Sequence, residues 1–120
     1  MLNIRQDQMF AFSDPLAESW TGRALKLIAA HWPEVYRNTP HDTLRSRLRR
    51  TLRDARAAGI DEAADALRYL NVTMLLGVGF AASGQHPWAA RILAARIAGP
   101  AKTAMLMDAV RSLIERSSHA

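Results

Sequence analysis

The segment over residues 39–59, TPHDTLRSRLRRTLRDARAAG, constrains the fold most, because it contains one complete amphipathic helical pattern. Its apolar positions recur at the spacing of one face of an α-helix. They are Leu44, Leu48 and Leu52, reinforced by Thr51 and Ala55. Thr39 as N-cap and Pro40 at the first helical position mark the start, with Asp42 in a variant of the capping box. Gly59 marks the end, so we predict a helix with a buried leucine face.

The same helix carries most of the net charge of the chain. Six arginines stand against two aspartates over residues 39–59, which gives +4 of the formal +5. Helical spacing places Arg45, Arg49 and Arg56 on one flank, Arg53 at the back, and Arg47 and Arg50 on the other flank. The arginines are thus predicted to wrap the helix rather than to form one ridge, on a surface that is solvated or binds an acidic protein. The candidate partner-binding residues on this helix are Arg45, Arg49, Arg53 and Arg56.

Nucleic-acid binding by the helix that carries Arg45 to Arg56 is the alternative function. Guanidinium groups neutralise phosphates and release counterions, which makes such binding strongly dependent on salt. However, no aromatic residue lies between the arginines to stack on bases, and no recognition-helix pattern flanks them. The sequence therefore favours a protein partner over a nucleic acid.

Proline and glycine divide the rest of the chain into further helices. We predict a short helix over residues 4–12, a helix over residues 15–31 closed by Trp32-Pro33, a helix capped by Asp61, a helix from His86-Pro87-Trp88 to residue 98, and a last helix from Gly99-Pro100. No run alternates with period two over enough residues to indicate a strand. The predicted fold class is all-α, a compact bundle of five to six helices. The length of 120 residues predicts a single domain over residues 1–120.

The same periodicity predicts which side chains are buried. In the helix over residues 15–31 they are Leu16, Trp20, Ala24, Leu27 and Ile28. In the helix capped by Asp61 they are Leu67, Leu70, Val72, Met74, Leu75, Leu76 and Val78. In the last two helices they are Trp88, Ile92, Leu93 and Ile97, then Ala104, Met105, Leu106 or Met107, Val110, Leu113 and Ile114. A tryptophan that is exposed near methionines would instead favour protein binding, so Trp88 joins the candidate partner-binding residues.

Composition limits the compartment and the chemistry. The chain contains no cysteine, which excludes disulfides, thiolate-bound zinc and cysteine nucleophiles and fits a reducing compartment. Charged residues interrupt the first fifteen positions, so no secretory signal is predicted. Glycines and Pro87 break the longest nearly uncharged stretch, residues 69–88, so no membrane span is predicted. We expect a cytoplasmic protein that does not bind membranes.

No pattern typical of an active site appears. The histidines at positions 31, 41, 86 and 119 lack the spacing that places two metal ligands on one helical face. Gly77-Val78-Gly79 with Gly84 follows a helix rather than a strand, so it predicts a turn and not a phosphate loop. Asp61, Glu62 and Asp65 occupy the first turn of a helix, where acids stabilise the dipole. We predict no enzymatic activity, no cofactor and no metal.

Several short motifs together resemble a family of small helical bacterial proteins encoded beside type VI secretion spike and effector genes. They are Ile4-Arg5 with Gln8-Met9, His31-x-Pro33, Gly59-Ile60, Tyr69, Leu76-Gly77 with Phe80, Pro87-Trp88-Ala89 and Ile92-Leu93. The arginine density of residues 45–56 and the segment GVGFAASG depart from that family. The resemblance implies an accessory role, as a chaperone, an adaptor or an immunity-type partner of a secreted effector or spike component. Self-association stays open.

Overall fold

The computed structural model describes residues 15–119, which form six α-helices and no strand. The helices are α1 (Pro15–His31), α2 (Pro33–Asn38), α3 (His41–Ala57), α4 (Ala63–Leu76), α5 (Pro87–Ala94) and α6 (Gly99–His119). The prediction of an all-α fold with five to six helices is therefore confirmed. The predicted helix over residues 4–12 lies outside the described residues.

Contacts divide the chain into two compact units, Met1–Arg50 and Thr51–Ala120. The division falls within helix α3, whose first ten residues belong to the first unit and whose last seven belong to the second. The single domain that the length predicts stays a prediction.

In the first unit, helix α1 packs against helix α2. Helix α1 begins and ends where the sequence predicts, at Pro15 and His31. Pro33 does more than stop it, because proline is favoured at the first position of a helix and here begins the six-residue α2. The sequence predicts only a stop at this proline, so α2 is not among the predicted helices.

The buried face of α1 consists of Trp20, Ala24 and Ile28, as predicted. The prediction for Leu16 is wrong, since this side chain is 74% exposed. Periodicity places Leu16 on the same face as Trp20, but it does not determine how far along the helix the covering neighbours extend. The indole nitrogens of Trp20 and Trp32 are buried without a hydrogen-bond partner in the part of the chain that the structure describes. Such a donor costs about 1–3 kcal/mol.

Helix α3 ends in a Schellman motif centred on the predicted stop signal. Gly59 has φ +83°, which glycine adopts without strain. Its N–H donates to Arg56 O at 3.0 Å, and the N–H of Ile60 donates to Ala55 O at 2.9 Å. The Ile60 side chain is fully buried, as the hydrophobic contact of this motif requires.

In the second unit, α4 and α5 both pack against α6. The buried apolar residues of this unit are Leu52, Ala55, Ile60, Ala66, Tyr69, Leu70, Val72, Phe80, Ala89, Leu106 and Val110. Phe80 anchors the glycine-rich segment between α4 and α5, with its ring centroid 5.4 Å from that of Tyr69. Gly77 follows the last residue of α4 and has φ +103°, so a glycine is needed at that position.

Two predicted boundaries in the second unit are wrong. The N-cap of α4 is Glu62 rather than Asp61, and it makes no side-chain cap hydrogen bond. Helix α5 ends at Ala94 rather than at residue 98, because Ala95 takes an extended conformation. The carbonyl of Leu93 accepts a hydrogen bond from Lys102 Nζ at 2.6 Å instead of from a further helical turn. Ile97, predicted to be buried, is consequently 40% exposed.

Several other apolar side chains of this unit lie closer to solvent than predicted. Leu75, Val78, Met105 and Ile114 are 43%, 44%, 47% and 50% exposed, and Ala104 is exposed as well. On these helices, apolar residues occupy a wider part of the circumference than the neighbouring elements cover. Hydrophobic residues exposed singly are common on protein surfaces.

Candidate functional site: the arginine stripe of helix α3

Helix α3 buries its leucines and thereby turns its arginines outward. Leu44, Leu48 and Leu52 are only 2%, 2% and 7% exposed, and Thr51 and Ala55 are buried with them, as predicted. The helix begins at His41, one residue later than predicted, with the carbonyl of Pro40 accepting from the N–H of Leu44 at 3.0 Å. Thr39 ends α2 in an extended conformation, as a residue before proline prefers.

Four of the six arginines of α3 follow one another at intervals of three or four residues. Because α3 is continuous, each residue adds about 100° of rotation and 1.5 Å of rise. Arg45, Arg49, Arg53 and Arg56 are separated by four, four and three residues, and we call them the arginine stripe. Within the first unit, Arg45 and Arg49 differ by about 40° of rotation and about 6 Å of rise, and within the second unit Arg53 and Arg56 differ by about 60° and about 4.5 Å.

The prediction that the six arginines wrap α3 stays a prediction. In the first unit, Arg47 and Arg50 lie on the opposite flank of α3 from Arg45. Arg49 and Arg53 are exposed, whereas Arg45 and Arg56 are half-buried.

Acidic side chains lie at the N-terminal end of the stripe. The carboxylate of Glu18, on α1, is 3.9 Å from Nη1 of Arg45, and the two side chains are 58% and 42% exposed. A solvated pair at that distance contributes little to stability. Asp42, exposed in the first turn of α3, falls within the same arc as the arginines. The stripe therefore combines a cationic run with a local negative charge at one end.

Trp88 lies on another helix, in the first turn of α5. Its side chain is half-buried, and its ring centroid is 5.7 Å from that of His86 in an edge-on arrangement. The sequence predicts that Trp88 is buried, and the structure covers its ring only in part. Participation of Trp88 in partner binding stays a prediction.

Two buried charged residues were missed by the sequence analysis. Lys102 is 7% exposed and donates to Ala58 O at 2.7 Å and to Leu93 O at 2.6 Å. Asp65 is 6% exposed and accepts from Arg68 at 2.6 Å, with Thr103 Oγ1 3.5 Å away. These contacts connect segments up to 44 residues apart. They hold helices together in the interior of the second unit. Because they join distant parts of the chain, no local sequence pattern predicts them.

Within residues 15–119, no three acidic or histidine side chains gather in a way that could hold a metal ion. None of the helices in this range has the length and apolar character needed to cross a membrane. Comparison with protein-family models, with curated proteins and with solved structures finds no match to this chain.

Proposed function

We propose that this chain is a protein-binding accessory factor that contacts an acidic surface of its partner through the arginine stripe. The observation that carries the proposal is that α3 buries its leucines, while Arg49 and Arg53 are exposed and Arg45 and Arg56 are half-buried. Arginine is enriched among the residues that dominate binding energy, since its planar group binds carboxylates through two hydrogen bonds. A concentrated positive charge also accelerates association with an acidic partner.

The motifs described above support an effector or spike component of a type VI secretion locus as that partner. The protein would act in the cytoplasm as an adaptor, a chaperone or an immunity-type partner. The proposal assigns it no catalytic role. Trp88 would extend the contact only if its half-buried ring becomes accessible in the complex.

The mixed charge of the site favours a protein over a nucleic acid. A protein partner can place a cation beside Glu18 and Asp42 while placing carboxylates beside the arginines. A phosphate backbone is uniformly anionic, so it would meet both acids as repulsive charges. Nucleic-acid binding remains the rival function, and a mobility shift at two salt concentrations separates the two. Four phosphate contacts would give a log-log slope of about −3.6.

The proposal is tested by reversing charges on the stripe. The partner is first identified by pull-down from the native host, and its affinity is then measured for the wild type and for the R45E/R49E/R56E variant. We expect affinity to fall at least about tenfold at low salt, with an unchanged far-ultraviolet spectrum.

The matched control is R23E/R91E/R96E, which changes the net charge equally at exposed arginines outside α3. This variant should retain most of the affinity. An unaltered affinity of the stripe variant, or equal losses in the two variants, would remove the arginine stripe from the mechanism.

A further inference from the structure

The first compact unit places an aromatic pair at the start of α3. The ring centroids of Tyr36 and His41 are 5.3 Å apart, with an angle of 61° between the ring planes. Tyr36 belongs to α2 and is half-buried, whereas His41 is the first residue of α3 and is exposed. Both rings are therefore at least partly accessible to a partner, although no aromatic residue lies between the arginines in the sequence.

This aromatic pair adjoins the arginines of the same unit. His41, Arg45 and Arg49 follow one another at intervals of four residues, and all three belong to the first unit. Such spacing makes successive side chains neighbours on one side of a helix, about 40° and about 6 Å apart. We call Tyr36, His41, Arg45 and Arg49 the composite surface. It has rings at one end and guanidinium groups at the other.

We propose that the composite surface binds an acidic segment of the partner in which an aromatic side chain precedes or follows the carboxylates. This inference depends on the proposed function. The carboxylates of the segment pair with Arg45 and Arg49, and its aromatic ring packs against Tyr36 and His41. Tyrosine and arginine are enriched among the residues that dominate binding energy at interfaces. The ring contact adds an attraction that salt does not screen, unlike the attraction between charges.

The charges around the composite surface favour a protein segment over a single-stranded nucleic acid, which also combines stacking with anionic contacts. Nη1 of Arg45 lies 3.9 Å from the carboxylate of Glu18 on α1. Asp42 is exposed on the same side of α3. A phosphate on Arg45 approaches these acids, and like charges at short range repel. A protein segment can place uncharged or cationic side chains there instead.

Two capped, fluorescein-labelled pentapeptides of equal charge test the inference with the full chain. Each contains four glutamates, and the first residue is tryptophan in one peptide and alanine in the other. Fluorescence anisotropy at about 150 mM salt should show about threefold to tenfold tighter binding of the tryptophan peptide. This ratio should persist at about 300 mM salt, because the ring contact is not screened.

Variants of the chain locate the ring contact. H41A and Y36L should each bind the two peptides within about twofold of each other, since each loses one of the two rings. R49E should weaken the binding of both peptides and leave their ratio unchanged. The control is H31A, which removes an exposed histidine at the end of α1, about 20 Å along that helix from Glu18. It should keep the preference of the wild type.

The outcomes separate the inference from the proposed function. Equal affinity of the wild type for the two peptides would overturn the aromatic contact and leave an acidic protein partner in place. A preference that both H41A and Y36L retain would overturn the inference as well. Binding of neither peptide would also overturn it, and the native partner's affinity for the R45E/R49E/R56E variant would then decide the proposed function. Tighter binding of labelled pentathymidylate than of the tryptophan peptide would overturn both.

Discussion

At the scale of single residues, the ammonium group of Lys102 donates hydrogen bonds to carbonyl groups at the ends of two helices, where a further helical turn would otherwise supply the donors. Ala58 follows α3 directly, and Leu93 lies in the last turn of α5, so their carbonyls lack helical donors. Both carbonyls also lie at the negative ends of helix dipoles, where a cation is stabilised. One buried side chain thereby satisfies two backbone groups that water cannot easily reach.

Replacing Lys102 by methionine should destabilise the protein by about 2–3 kcal/mol. Methionine keeps an apolar stem of similar length, but the two partly buried carbonyls lose a charged donor. Urea unfolding followed by circular dichroism measures the difference. The control is K26M on the exposed side of α1, where we expect a change within about 0.5 kcal/mol. A loss for K102M as small as that of the control would show that the two hydrogen bonds contribute no net stability.

At the scale of elements, the start of α6 approaches the end of α3 too closely for any side chain. A Cβ atom built on Gly99 would lie 2.7 Å from Gly59 O and 3.1 Å from Ile60 Cα. Both neighbours are backbone atoms, so no rotamer change can relieve the contact. Gly99 therefore serves close packing between two helix ends, in addition to starting a helix before Pro100.

Gly99 and Gly22 should respond oppositely to substitution by alanine. G99A should cost about 1–3 kcal/mol, because the backbone of two elements must move apart. Gly22 lies inside α1, and a Cβ atom added there would meet no neighbouring element within 4 Å, so G22A should stabilise by about 0.5–1 kcal/mol. Thermal unfolding of both variants beside wild type measures the two shifts. Shifts of the same sign would contradict the close approach described here.

At the scale of the whole molecule, the chain is strongly basic, with a formal charge of +5 and an isoelectric point near 10.7. Six of its sixteen basic residues belong to helix α3. Such an asymmetric field extends about 8 Å into physiological salt and further at low salt. It should act on an acidic partner before any contact forms.

Salt should therefore change the association rate more than the dissociation rate. Between about 50 and 300 mM salt we expect the association rate constant with the native partner to fall about tenfold, because ions screen the attraction between separated molecules. The dissociation rate constant should rise by less than about threefold, since pairs in contact are screened less. Stopped-flow fluorescence measures both. An association rate that is insensitive to salt would exclude electrostatic steering by the basic surface.

Local patterns in the sequence determined the helices, most of the residues at which they begin and end, and much of the burial. The leucine face of α3, its stop at Gly59 and the outward arginines follow from periodicity and capping, which act over a few residues. Tertiary structure alone decided that α5 ends at Ala94, that Leu16 stays exposed and that Lys102 is buried. These features depend on contacts across as many as 44 residues, which no local pattern encodes.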